Sequence, residues 1–238
     1  MQIIQGSLLA HPHVVAWRNR LRGNSLLRGV YRMWAGRDSY EERFGRGLLA
    51  AVGEGDVVWD VGANVGLYSE KFLQRGAGFV ACFEPAPAAI AQLGRRFAAA
   101  EYSARVRVIG AALSNVRGVA RFLANGDSPV NKLSDSGQSG ASIEVPVLRG
   151  DQALTEHSLP LPHVIKVDVE GYELEVIEGL DGVLAQRQVR AVFVEVHFAL
   201  LHERGRDEAP ARIVELLQAR GFQTSWLDAS HLSATRRF

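Results

Sequence analysis

The chain has one cysteine and two methionines in 238 residues, and no apolar run approaches the roughly 18 residues that a membrane span requires. With Cys82 alone no internal disulfide can form, which fits a reducing cytoplasm. Its place in an apolar run reads as a small buried side chain rather than a nucleophile. Charge of either sign is not in excess: 27 Lys and Arg face 26 Asp and Glu, so the basic footprint of a general nucleic-acid binder is missing. The compact apolar segment of a signal peptide is also missing from the N-terminus. What is there, 47% hydrophobic and 22% charged residues, is the composition of a globular protein with a sizeable core.

Residues 1–37 mix Trp17, Leu21, Leu26, Val30 and Trp34 with Arg18, Arg20, Arg22, Arg28 and Arg32. Such a segment can make a peripheral contact with an anionic membrane surface. Gly23 and Asn24 interrupt it, and packing on the domain is the plainer reading. A helix over 39–52 follows, with Ser39 as N-cap and Glu41 and Glu42 in its first turn. The chain thus divides into a helical N-terminal extension, 1–52, and one domain, 53–238.

That domain is organised around DVVWDVGANVG at 56–66. Val57, Val58, Trp59 and Val61 suit a strand buried on both faces. Gly62, Asn64 and Gly66 then form a tight turn, and Leu67 to Gln74 resumes with helical spacing. Gly62 lets backbone approach a ligand, and the helix N-terminus offers unpaired N–H groups. The spacing is D-x-G-x-x-x-G, however. Asn64 takes the place of the glycine that a pyrophosphate needs, and Asp60 adds a carboxylate that repels phosphate and attracts an amine.

A second strand, FVACFE at 79–84, ends in Glu84, 24 positions after Asp60; an acid about 20 residues beyond such a turn meets a ribose diol in nucleotide-binding folds. Pro85 and Pro87 open a helix expected to run from about Ala86 to Ala100. A strand over 105–109 follows, then GAALS at 110–114, small and apolar enough to lie against a flat ring. Residues 118–123 and 143–148 read as further strands, with antiparallel pairing open. The polar stretch 124–141 between them reads as a substrate lid or a disordered loop. Strands over 164–168 and 189–196 end in DVE at 168–170 and EVH at 195–197. Asp168 and Glu170 face one way if the strand persists. Lys166, inside the strand, is expected to pair with a nearby acid. His11, His13, His157, His163, His202 and His231 show no ligand pairing. A helix over 209–219 and a hairpin over 222–238 close the chain.

Alternating strands and helices predict an α/β, doubly wound, mostly parallel sheet with right-handed crossovers. Ligands bind such sheets beyond the carboxyl ends of the strands. Gly62, Asn64, Gly66, Glu84, Ala112, Asp168, Glu195 and His197 all fall there.

The combination of DVGANVGLY at 60–68, FEP at 83–85, ALS at 112–114, IKVDVEGYE at 165–173 and EVH at 195–197 resembles the FkbM family of S-adenosylmethionine-dependent methyltransferases. The resemblance implies a seven-stranded, Rossmann-like class I methyltransferase sheet whose last strand is antiparallel. It implies methyl transfer to a hydroxyl oxygen of a sugar, glycolipid or polyketide, in other words a small-molecule or glycan acceptor. Carried over by motif, Asp60, Gly62, Asn64 and Gly66 surround the methionine part of S-adenosylmethionine. Tyr68 is a weaker candidate, Glu84 accepts from the ribose hydroxyls, and Ala112 and Leu113 flank the adenine.

A neutral sugar hydroxyl is a poor nucleophile, so a base or a metal should assist. Asp168, Glu170 and His197 are the best-placed catalytic candidates. With Glu195, their spacing allows a Mg2+ or Ca2+ site without demanding it, and a metal is not the favoured reading. Two alternatives stand beside the methyltransferase. A nicotinamide-dependent oxidoreductase with a variant Rossmann loop is opposed by Asn64 and the DVEG block. A catalytically silent small-molecule binder is opposed by the retained polar strand ends.

Overall fold

The computed structural model describes residues 40–123, 132–133 and 142–236. The expected Ser39 cap, the basic segment and most of the polar stretch 124–141 lie outside the described residues. The first half of the domain runs α1 (Tyr40–Ala50), β1 (Val57–Val61), α2 (Leu67–Gln74), β2 (Phe79–Phe83), α3 (Pro87–Arg96), α4 (Ala100–Ser103) and β3 (Val106–Ile109). A mixed excursion follows, with β4 parallel to β7 and the other pairs antiparallel: β4 (Ala112–Leu113), β5 (Gly118–Leu123), β6 (Lys132–Leu133) and β7 (Ser142–Leu148). The second half runs α5 (Gly150–Glu156), β8 (Val164–Val167), α6 (Glu173–Gly179), α7 (Asp181–Leu184), β9 (Ala191–Glu195), α8 (Phe198–Glu203), α9 (Ala209–Ala219), β10 (Gln223–Trp226) and β11 (His231–Thr235).

Seven strands form the main sheet in the order β10-β11-β9-β8-β1-β2-β3. Its pairings are parallel except those of β11, which is antiparallel to both β9 and β10. The doubly wound sheet with an antiparallel last strand is therefore observed. A smaller sheet, β4-β7-β5-β6, packs beside it, with β5 and β7 antiparallel.

Side-chain alternation along β1 sends Trp59 and Val61 to one face, where they pack with Ile165, Val194, Ile177 and Leu217. Val58 goes to the other face, against Val80, Phe72, Leu93 and the α1 residues Phe44 and Leu48. Both faces of a parallel sheet must be covered, and these two clusters cover them. Asp60 shares the Val58 face by the same two-residue period.

Two expected elements differ. The helix expected over 86–100 stops at Arg96, and a single turn restarts at Ala100. The break lets Phe97 and Tyr102 pack edge to face, 5.4 Å between ring centroids. The fourth parallel strand ends at Val167, one residue before Asp168. Glu170 and Gly171 then take left-handed backbone, φ 53° and 92°. The two acids of the DVE block are thus on a turn, not on a persisting strand.

Candidate active site

The loop after β1 turns through left-handed Gly62, φ 79°, and Asn64, φ 49°. A Cβ on Gly62 would stand 1.8 Å from the Asp168 carbonyl oxygen. The glycine is needed because two strand-end loops touch there, so protein backbone makes the close approach expected of a ligand. Gly66 precedes α2 at φ 82°, and a Cβ there would meet Leu93 at 2.7 Å and Phe97 at 2.9 Å. Its role is to seat α2 against α3.

Glu84 follows β2 and is buried. Its Oε2 accepts from the Asn64 N–H at 2.8 Å and its Oε1 from the Ala86 N–H at 2.8 Å. Burial raises its pKa, and those two backbone bonds oppose the rise. Each carboxylate oxygen has a second lone pair, so the anchored group can still accept two more hydrogen bonds.

Asp60 is fully buried beneath this loop. Parallel pairing puts Asp60 beside Cys82 on one side and Lys166 on the other. Its carboxylate accepts from Ser69 Oγ at 2.6 Å and from Lys166 Nζ at 3.1 Å. Lys166 also reaches the Gly62 carbonyl at 3.2 Å and Asp168 Oδ2 at 3.4 Å. The Asp60 and Asp168 charges keep Lys166 protonated against the pull of burial. Lys166 does pair with nearby acids, as the sequence suggests. Cys82 is buried, and burial pushes its thiol up to about 12, which leaves it inert as a nucleophile.

The ends of β8 and β9 meet at His197. Its Nδ1 lies 2.7 Å from Glu173 Oε1; since a carboxylate only accepts, Nδ1–H donates. Its Nε2 lies 3.3 Å from Glu170 Oε2, 3.8 Å from Asp168 Oδ1 and 4.0 Å from Glu195 Oε1. Burial would lower the His197 pKa, but the Glu173 hydrogen bond and the charges of Glu173, Glu170 and Asp168 raise it to about 10. Burial raises Glu170. Glu195 is lowered: the His231 bond and the His197 charge outweigh its burial.

Two cavities open at this edge of the sheet. The first is lined by Gly62, Asn64, Glu84, Ala112, Leu113, Asp168 and Glu170, together with Phe83, Val169 and Tyr172. The second, about 660 Å3, is lined by Phe44, Arg46, Tyr68, Lys71, Asp168, Glu195 and His231 among others. Asp168 belongs to both walls. Asp60 and Gly66 line neither cavity, and Tyr68 lines only the second.

The structure adds residues that sequence reasoning passed over. Tyr172 walls the first cavity, its ring held under the Arg204 guanidinium at 3.5 Å. His231 is buried, with Nδ1 2.8 Å from Asp228 Oδ2 and Nε2 3.5 Å from Glu195 Oε2. The D-x-x-H spacing of the last hairpin turn was the available signal.

The family model for the methyltransferase FkbM domain matches residues 60–224. A hexuronic acid methyltransferase, AglP of Haloferax volcanii, is 33% identical over 177 residues, covering 72% of this chain and 69% of that protein. The 31-O-demethyl-FK506 methyltransferase FkbM of Streptomyces tacrolimicus is 30% identical over 199 residues, covering 71% of this chain and 73% of that one. Among solved structures, a methyltransferase FkbM from Methylobacillus flagellatus KT superposes with a TM-score of 0.54 at 16% identity. It covers 76% of this chain, which spans 43% of that structure's length.

Proposed function

The chain belongs to the FkbM methyltransferase family, and we propose that it moves a methyl group from S-adenosylmethionine to a hydroxyl oxygen of a sugar, glycolipid or polyketide-type acceptor. The observation that carries this reading is Glu84: a buried carboxylate at the second strand end, fixed by two backbone N–H groups and bordering the first cavity. Its two remaining acceptor sites suit a ribose diol. Beside it, Phe83, Ala112, Leu113 and Tyr172 give a mostly apolar wall for a flat base. The acids around the cavity and the absence of a phosphate-binding glycine triplet oppose a dinucleotide. Gly62 and Asn64 offer backbone to the methionine part. Asp60, with both oxygens engaged beneath the loop, is a positioning residue rather than a contact.

S-adenosylmethionine, when bound, supplies a methyl group on a positively charged sulfur. The chain has to bring an oxygen into line with that methyl group and take up its proton. Asp168, the residue common to both cavities, places the acceptor in the second one. Asp168 then orients its hydroxyl and takes up the proton, while Glu170 and the protonated His197, held by Glu173, fix the Asp168 carboxylate from behind. Alignment of this kind accounts for much of the rate in a displacement. Phe44 and Tyr68 give the second cavity aromatic surface for a sugar face.

The test is transfer of labelled methyl from S-adenosylmethionine to a panel of uronic acids, neutral sugars and hydroxylated polyketides. Label in a stable ether is expected with wild type and is lost with Asp168→Asn. Failure of every hydroxyl acceptor, or label recovered as a carboxyl ester, would overturn transfer to hydroxyl oxygen.

A further inference from the structure

We propose that Asp168, Glu170 and His197 form a binding site for one divalent transition-metal ion of the Mn2+ or Zn2+ type. Their ligand atoms lie within 4.8 Å of one another. Two ligands about 2.1 Å from a common ion stand roughly 3.0–3.4 Å apart in octahedral or tetrahedral geometry. The His197 Nε2 to Glu170 Oε2 separation, 3.3 Å, already meets that value, and the separation to Asp168 Oδ1, 3.8 Å, needs only a small side-chain adjustment. Val167 and Val194 are paired neighbours in the sheet, so the backbone holds the two ligand-bearing turns side by side.

The surroundings point the same way. A metal-binding imidazole is normally held through its other nitrogen by a carboxylate, which fixes tautomer and ring orientation. Glu173 does this for His197 and is itself fully buried. Its second oxygen, Oε2, is buried with no hydrogen-bond partner among the described residues, so the carboxylate that holds the imidazole keeps spare acceptor capacity beside it. Asp168, Glu170, Glu173 and Glu195 all border His197, an acid-rich setting in which Lys166 is shared with Asp60 and His231 pairs with Glu195. One imidazole with two carboxylates favours borderline transition metals over Ca2+, which prefers an all-oxygen shell. Asp168 lines both cavities and Glu170 the first, so the site lies at their shared wall. A bound ion there can polarise the hydroxyl oxygen; only this role rests on the methyltransferase reading.

The test uses the full chain, stripped with EDTA and titrated with Mn2+ alone, by calorimetry and by loss of the free-ion paramagnetic resonance signal. One saturable site is expected. His197→Ala should abolish it, and Glu173→Gln, which only loosens the imidazole, should weaken it by about 10–100-fold. Glu170→Gln serves as the ligand variant if His197→Ala does not fold, with thermal melting as the fold control. Absence of a saturable site for both Mn2+ and Zn2+, or unchanged affinity in the folded variants, refutes the site. S-adenosylmethionine binding by the same EDTA-treated protein is measured in parallel. Cofactor binding without metal binding removes the metal alone, whereas metal binding without cofactor binding removes the methyltransferase reading alone.

Discussion

Replacing Lys166 by Met should damage the fold through Asp60 rather than through Lys166 itself. The ammonium is 3% exposed and its partner carboxylate 0%. Met fills much of the same volume, but the buried Asp60 carboxyl would lose its ammonium partner and keep only the Ser69 hydroxyl. Stranding one member of a buried pair costs about 3–5 kcal/mol, a large part of the roughly 5–15 kcal/mol that holds a domain folded. For a chain of this size that is a fall of about 6–20 °C in Tm. Asp60→Asn with Lys166→Met removes both charges and keeps a hydrogen-bonding group opposite Ser69, so it should recover most of the loss. Urea unfolding followed by tryptophan fluorescence, run as a double-mutant cycle, reads the coupling. Losses that simply add, or a double variant less stable than Lys166→Met alone, would refute the buried pair as the cause.

Gly62→Ala should be among the most damaging single methyl additions, because the new Cβ meets the Asp168 carbonyl and the backbone is left-handed; soluble yield and Tm report it, and a wild-type melt would contradict it. His231 titrates at about 9 in the fold against an ordinary 6.5: burial lowers it, but Asp228 and Glu195 raise it further. Its contribution is therefore complete below pH 6.5 and lost as pH rises through 9, at up to about 1.4 kcal/mol per pH unit. His231→Gln should flatten that part of the stability profile, and parallel profiles would contradict the assignment. Asp56 is the opposite case, since the Arg190 pair and the Gly53 N–H outweigh burial and hold it below its ordinary 3.8. Its contribution is complete above that value and lost as pH falls through the lower folded value; Asp56→Asn should remove this acid limb in urea titrations.

Local chemistry carried the parts of the site that were legible in the sequence. Glu84 stood out because an acid at that distance from a glycine turn has a specific use, and the structure sets it in the first cavity beside Gly62 and Asn64. The mostly parallel sheet followed from alternating elements, and its antiparallel last strand from the family resemblance; the order of the strands is what the structure adds. What escaped depended on register and long-range closure. Asp60 lies on the α2 face because it alternates with Trp59 and stands opposite Lys166, and sequence distance alone does not fix that pairing. The Asp168 and Glu170 pair was read from strand periodicity, yet a left-handed turn brings the two acids to His197. His231 joins the site only because β11 inserts between β9 and β10, placing it opposite Glu195.

The most direct measurement is calorimetric titration of the protein with S-adenosylmethionine and, separately, with NAD+, in wild type and Glu84→Gln. One saturable S-adenosylmethionine site is expected, with no NAD+ heat. Losing charge-assisted bonds to the ribose, worth about 1.5–3 kcal/mol, should weaken binding in Glu84→Gln by roughly 10–150-fold. Binding of NAD+ in place of S-adenosylmethionine, or S-adenosylmethionine affinity indifferent to Glu84, would contradict the cofactor site on which the proposed function rests.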